Sequence, residues 1–97
     1  MATDVEALTI NYTEDDVLVV KELDKAVLTK GAWATLLFRY QEWDPRKKEY
    51  SQDRYTIRRY RKINQEYSQQ SKFNISSRDQ AEKIINILQG WLGQSNG

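Results

Sequence analysis

The chain has 97 residues, 30% of them charged, and a formal net charge of +1 at pH 7. A chain of this length predicts one domain with a modest core. It contains no cysteine and no histidine, which excludes disulfide bridges and thiolate metal sites and removes the usual general base at neutral pH.

The first region is an acidic N-terminal arm, predicted over residues 1–16. Residues 1–24 contain seven acidic residues and one lysine, a net charge of −6. Leu8, Ile10 and Tyr12 alternate with polar residues, which is compatible with a short strand, while the acidic surroundings fit a disordered tail equally well. No apolar run flanked by positive charge is present, so we expect no signal peptide, no membrane span and a cytoplasmic location.

Four strands are expected next, because apolar residues alternate with polar ones between turn-forming residues. The first, at residues 17–28, is either one strand or a pair that turns at Asp24-Lys25. Three more follow at residues 33–43, 50–63 and 67–75. This order predicts an antiparallel meander.

The last element is an amphipathic helix, predicted over residues 78–92. Ser77 and Gln80 have the spacing of a capping box, and Gly93 suits the end of the helix. The apolar residues recur at helical spacing and form one stripe: Ala81, Ile84, Ile85, Leu88 and Leu92. We expect this stripe to cover the apolar face of the sheet, with residues 93–97 as a tail.

The predicted fold class is therefore α+β, a four-stranded antiparallel β-meander followed by one C-terminal helix, in a domain spanning residues 17–92. Directly opposed residues of an antiparallel pair point to the same side of a sheet. Pairing Phe38 with Tyr55 leaves a two-residue hairpin tip, and pairing Ile57 with Phe73 leaves a three-residue loop, 64–66. This register predicts one apolar face: Leu36, Phe38, Tyr55, Ile57, Phe73 and Ile75.

The opposite face of the predicted sheet combines basic and aromatic side chains. Residues 39–72 carry ten basic and five acidic residues, a net charge of +5. Single-stranded nucleic acid is bound by cations that contact phosphates and by flat rings that stack on bases. The candidate nucleic-acid contacts on this face are Trp33, Arg39, Trp43, Arg54, Arg58, Tyr60, Lys62 and Lys72. Arg59 points to the other face in this register, so we expect it to matter less.

Two alternatives to nucleic-acid binding remain open for this face. Tyr, Trp and Thr are common on exposed strands because of their β-propensity alone. Trp33, Leu37 and Trp43 are also suited to a dimer interface.

Catalysis is not expected. Glu42, Asp44 and Glu49 lie near one turn that also holds lysines and an arginine, which is typical of solvated ion pairs rather than of an acid–base pair. We expect no catalytic residue, no metal site, no cofactor and no small-molecule substrate.

One segment of the chain has a recognisable pattern. Ile57-Arg58-Arg59-Tyr60 is followed by a turn ending at Glu66, then by Lys72, by Ile75-Ser76 and by the helix. In this, residues 57–85 resemble the C-terminal domain of the eukaryotic transcriptional coactivator positive cofactor 4 and its bacterial relatives. The resemblance implies a homodimeric single-stranded DNA-binding protein of transcription or DNA metabolism, with Arg58, Tyr60 and Lys72 as contacts.

Residues and resemblance together predict a nucleic-acid-binding module that prefers single strands, DNA or RNA, and forms a homodimer. The alternative is a protein-interaction domain that uses the same face of the sheet.

Overall fold

The computed structural model describes residues 4–94, which form mostly an antiparallel sheet, with one C-terminal helix. After a short 3₁₀ turn at Val5–Ala7, the elements are β1 (Tyr12–Glu14), β2 (Val17–Thr29), β3 (Trp33–Asp44), β4 (Glu49–Tyr50), β5 (Arg54–Ile63), β6 (Glu66–Ile75) and α1 (Arg78–Gln94). Six strands are found instead of four, because the N-terminal region contributes β1 and the strand predicted at 50–63 divides into β4 and β5. The strand predicted at 17–28 is one strand, not a pair.

The strands follow one another in space in the order β1, β2, β3, β5 and β6, and β4 pairs with the end of β3. Of the two alternatives for the N-terminal region, a short strand is found, but at Tyr12–Glu14, where β1 pairs with β2; Leu8 and Ile10, on which the prediction rested, lie before it. Residues 1–3 of the predicted arm and residues 95–97 of the predicted tail lie outside the described residues.

The register of β3 and β5 differs by one residue from the prediction. At the hairpin tip, Trp43 pairs with Tyr50, as the predicted register requires. Residues 51–53 then interrupt the ladder, where Ser51 takes part through its backbone N–H to the Glu42 carbonyl, 2.8 Å, and accepts the Glu42 N–H on its hydroxyl, 3.0 Å. Beyond this break Phe38 pairs with Thr56, not with Tyr55. A one-residue slip exchanges the two faces of a strand.

The β5–β6 hairpin keeps the predicted pairing of Ile57 with Phe73. A bulge lies opposite Arg59 and Tyr60, and beyond it Ile63 pairs with Glu66. The connection is therefore a two-residue turn, Asn64-Gln65, rather than the predicted three-residue loop. Both turn residues have positive φ, 51° and 69°, as a type I′ turn requires.

The predicted single apolar face is wrong as a consequence of the β3–β5 register. Leu36 and Phe38 lie on one face of the sheet, whereas Ile57 and Phe73 lie on the other. We call the first the covered face; it contains Ala34, Leu36, Phe38 and Tyr40 of β3 and Arg54, Thr56, Arg58 and Tyr60 of β5. We call the second the open face; it contains Trp33, Thr35, Leu37 and Arg39 of β3 and Tyr55, Ile57, Arg59 and Arg61 of β5.

The cover of the covered face is the N-terminal segment, residues 4–10. Its buried side chains Val5, Leu8 and Ile10 join the core formed by the sheet residues Ala34, Leu36, Phe38, Tyr40, Tyr60 and Tyr67. Burying aliphatic side chains of this size stabilises a fold by about 1.5–3 kcal/mol each.

Two side chains of β2 hold the segment in place. The Lys25 ammonium donates to the backbone carbonyls of Val5, Glu6 and Leu8. The Glu22 carboxylate accepts from the Ile10 N–H, 3.2 Å, and from the Thr9 hydroxyl, 2.7 Å. The segment pairs with no strand within residues 4–94, so these side chains satisfy backbone groups that a ladder would otherwise satisfy.

The helix does not cover the sheet, and that prediction is wrong. Helix α1 begins as expected, since the Ser77 hydroxyl accepts the Gln80 N–H at 3.1 Å. It contacts the sheet mainly at β6. The apolar side chains along it remain substantially exposed: Ile85 52%, Ile87 49%, Leu88 46%, Trp91 65% and Leu92 63%. No helix among residues 4–94 is long and apolar enough to cross a membrane.

Candidate nucleic-acid interface

The structure divides the predicted site between the two faces of the sheet. Five of the predicted residues lie on the covered face: Arg54, Arg58, Tyr60, Lys62 and Lys72. Three lie on the open face: Trp33, Arg39 and Trp43. The prediction that all eight share a face is wrong for the reason given above: the break at residues 51–53 shifts β5 by one position against β3.

On the covered face the aromatic rings of β3 and β5 are buried, so the cations there have no exposed ring of these strands beside them. Arg58 and Lys72 are directly opposed across β5 and β6, and the Arg58 guanidinium donates to the Gln69 side-chain oxygen, 3.0 Å. Arg54 forms an ion pair with Glu42, 3.0 Å. Like charges in direct opposition destabilise a sheet, so the Arg58–Lys72 pair is a feature that a bound anion would relieve.

Tyr60 cannot stack on a base in this arrangement. Its side chain is 5% exposed and belongs to the core. Burial raises the pKa of the Tyr60 phenol above its ordinary value of 10.0, with Arg58 opposing the shift and Glu22 adding to it. The residue therefore acts as a core side chain in the described fold.

The Trp43 side chain makes its contacts near the tip of the β3–β4 hairpin. Its ring meets that of Tyr50 edge-on, with centroids 5.1 Å apart. The Tyr50 hydroxyl donates to the Leu18 carbonyl, 2.7 Å, and the Lys21 ammonium lies 4.9 Å from the Tyr50 ring centre. These contacts give Trp43 a structural role in the hairpin.

Trp33 lies at the centre of a cluster that sequence reasoning missed. The Arg59 guanidinium is 4.4 Å and the Arg61 guanidinium 5.4 Å from its ring centre, within the range of cation–π attraction. Among residues 4–94, neither arginine forms an ion pair with a carboxylate. The indole is 40% exposed. We call Trp33, Arg59 and Arg61 the Trp33 cluster.

The cluster was missed because the predicted register placed the two arginines on the face opposite Trp33. Arg61 is in fact directly opposed to Trp33, and Arg59 to Thr35. The available signal was the polar sequence Ser51-Gln52-Asp53 inside the strand predicted at residues 50–63. A polar interruption of this kind favours a break in the ladder and a change of register.

The middle of the open face is an apolar row that runs straight across four strands. Its members are directly opposed in turn: Ala26, Leu37, Ile57 and Phe73. Phe73 is 51% exposed. Nothing within residues 4–94 covers this row in the way that the N-terminal segment covers the other face.

Arg39 lies beyond the row in a different electrostatic setting. Its guanidinium is 3.9 Å from the Asp24 carboxylate and 3.5 Å from that of Asp53, and Gln41 donates to Asp53 at 2.9 Å. Two carboxylates therefore offset the charge that the sequence assigned to a phosphate contact.

No family model, curated protein or solved structure matches the chain. The resemblance to the positive cofactor 4 family thus stays a prediction based on the motif. Within residues 4–94, no group of three or more acidic side chains is arranged to hold a metal ion.

Proposed function

We propose that the protein binds single-stranded nucleic acid on the open face, with the Trp33 cluster as the primary contact. One observation supports this most: an exposed indole and two guanidiniums that form no ion pair with a carboxylate of residues 4–94 occupy the same place. Rings stack on unpaired bases, and guanidiniums both stack and contact phosphates. The proposal assigns binding and no reaction.

In the Trp33 cluster, different side chains provide the two contributions to such binding, base stacking and phosphate contacts. Stacking on Trp33 contributes about 1–3 kcal/mol per base and depends little on salt. Each phosphate contact lowers the logarithm of the affinity by about 0.7 per tenfold increase in salt concentration on a single strand. Arg59 and Arg61 should together contribute a slope of about 1.4.

A salt titration of a fluorescent oligothymidylate tests the proposal. The parent should bind, with affinity that falls steeply as salt rises. Arg59→Gln with Arg61→Gln should reduce the slope by about 1.4, whereas Trp33→Ala should weaken binding with little change in slope. Absence of binding by the parent at low salt would contradict the proposal and favour a protein-interaction domain on the same face.

The covered-face cations Arg54, Arg58, Lys62 and Lys72 stay predicted contacts. Arg58 and Lys72 are two of the three contacts that the resemblance implies, the third being the buried Tyr60, and their direct opposition supports an anion between them. A role in transcription or DNA metabolism and a cytoplasmic location also stay predictions.

A second proposal concerns assembly, and it rests on helix α1. The helix leaves Ile85, Leu88 and Trp91 about half exposed or more, on an element that contacts its own sheet mainly at β6. In a symmetric pair each copy presents the same stripe, so one contact covers it on both. We propose that α1 packs against α1 of a second copy.

Sedimentation equilibrium tests the homodimer. The parent should be dimeric at high micromolar concentration, and Leu88→Asp or Trp91→Asp should shift it towards monomer. Asn86→Asp, on the opposite side of the helix, is the matched control and should leave the dimer intact. A monomeric parent would contradict the proposal.

A further inference from the structure

We infer that a pocket beside Arg39 on the open face binds a guanine base of the same single strand; this inference rests on the proposed function. The pocket has a volume of about 220 Å³. Ala26, Leu37 and Tyr55 provide apolar walls, and Asp24 and Arg39 lie at its rim. A cavity of about 150 Å³ already holds a benzene ring, so the pocket is large enough for an aromatic ring.

The charges at the rim disfavour a phosphate. Arg39 is flanked by Asp24 and Asp53, which together carry more negative charge than the guanidinium offsets. The backbone of a nucleic acid would be repelled from this position. A neutral ring with both hydrogen-bond donors and acceptors on its edge would not be.

The hydrogen-bonding groups that Asp24 and Arg39 leave available at the rim determine which ring fits best. The Asp24 side chain is 72% exposed; one of its oxygens accepts the Lys25 N–H at 2.8 Å, and the other is 3.9 Å from Arg39. The Arg39 guanidinium donates one long hydrogen bond, 3.5 Å, to Asp53. An acceptor and several donors therefore lie side by side.

Guanine is the base that uses this arrangement most fully. Its Watson–Crick edge presents the O6 acceptor next to the N1–H and N2–H donors, so Arg39 can donate to O6 while Asp24 accepts from the two N–H groups. Arginine commonly donates to guanine O6 in duplex DNA, there together with N7 on the major-groove edge, and in a single strand the Watson–Crick edge is accessible as well. Thymine offers the carboxylate a single N–H donor. Tyr55, half-buried in the wall, supplies a ring for stacking.

The pocket and the Trp33 cluster lie along one path. Trp33 and Arg39 are on the same face of β3 and six residues apart, which corresponds to about 20 Å. Two residues of a strand advance about 6.6 Å, close to the spacing of successive phosphates in an extended single strand. A base on Trp33 and a base in the pocket would therefore be about three nucleotides apart, with the sugars crossing Leu37 and Ile57.

The test compares oligothymidylate of eight nucleotides with the same oligomer carrying one central guanine. The parent should bind the guanine oligomer about tenfold more tightly. Asp24→Asn should reduce the ratio of the two dissociation constants to near one, since the amide can donate where the carboxylate accepts. Asp16→Asn, an exposed residue in the β1–β2 turn, is the control and should keep the tenfold ratio. Replacing guanine by hypoxanthine, which lacks the N2 amino group, should give an intermediate ratio in the parent.

The outcomes separate the two proposals. Equal binding of both oligomers by the parent would overturn the guanine pocket and leave the proposed function standing. A guanine preference that survives Asp24→Asn would overturn it as well, because the base would be read elsewhere. If the parent bound neither oligomer, both proposals would fail. If Asp24→Asn changed the sedimentation behaviour of the free protein, the pocket would belong to a contact between copies and the inference would be wrong.

Discussion

The two faces of this sheet are made of the same strands but differ in what completes them. The covered face is closed by residues 4–10 of the same chain, and its centre is a fully buried core around Leu36 and Phe38. The open face has an apolar row of similar character, yet Phe73 at its end is half exposed. The difference shows that alternation of apolar residues along a strand does not by itself identify the core face. The core lies where another segment of the chain is available to cover it.

The largest expected effect comes from a matched pair of phenylalanines. Phe38→Ala should destabilise the fold by about 3–5 kcal/mol, because Phe38 is completely buried and its removal leaves a cavity. Phe73→Ala should cost about 1 kcal/mol or less, because its side chain is half in solvent already. Urea denaturation of both variants measures the difference. Equal losses would mean that the open face is also covered in solution.

The next effect concerns the attachment of the N-terminal segment. Lys25→Met should destabilise the protein by about 1–3 kcal/mol, since three backbone carbonyls lose a charged donor while the aliphatic stem is kept. Lys30→Met, at an exposed position, is the control and should be nearly neutral. Hydrogen exchange should show loss of protection at the Leu8 and Ile10 amides. Unchanged protection in Lys25→Met would show that apolar burial and the Glu22 contacts hold the segment without the Lys25 ammonium.

A comparison of neighbouring arginines decides which face binds nucleic acid. Arg59→Gln should weaken binding of oligothymidylate by about 0.5–1 kcal/mol and reduce the salt slope by about 0.7. Arg58→Gln should have the smaller effect if the Trp33 cluster is the primary contact. The reverse order would move the site to the covered face, beside Lys72. Fluorescence anisotropy at several salt concentrations measures both quantities.

The smallest expected effect is a pH dependence of stability that arises from two tyrosines of the covered face. Burial raises the pKa of Tyr60, and also that of Tyr40, above the ordinary value of 10.0. Such a phenol ionises at a lower pH in the unfolded state than in the folded state. Its contribution to the free energy of unfolding is therefore fully present below pH 10 and is lost as pH rises through the folded pKa. The stability of Tyr60→Phe relative to the parent should therefore be constant from pH 6 to 9 and improve above pH 10. A constant difference throughout would contradict this.

The elements themselves were predictable from local pattern. The strands 33–43 and 67–75 and the helix 78–92 match the observed elements to within two residues, because alternation, helical spacing and the Ser77 cap are local signals. The pairing of Ile57 with Phe73 was also correct, although the turn is one residue shorter than predicted, because the bulge opposite Arg59 and Tyr60 compensates for the difference.

The faces were not predictable in the same way. Residues 51–53 change the β3–β5 register by one position. The alternation of apolar and polar residues does not show whether such a break shifts the pairing of the following strand. The predicted site therefore combined Trp33 with Arg58 instead of Arg59. The cover was missed for a different reason: Leu8 and Ile10 alternate as in a strand but form none, and Val5 does not share that alternation, so only their three-dimensional placement shows that they are core residues.

The break at residues 51–53 gives a short polar segment an unusual significance in this chain. Surface connections usually tolerate changes of sequence without consequence for the elements they join. Here, replacing Ser51-Gln52-Asp53 by three residues that continue the ladder would bring Ile57 opposite Leu36 and turn Arg58 and Tyr60 towards Trp33. The segment thus determines which face of the sheet each residue of β5 points to. Two chains with identical strand residues could present different sets of side chains to a ligand if only one of them kept the break.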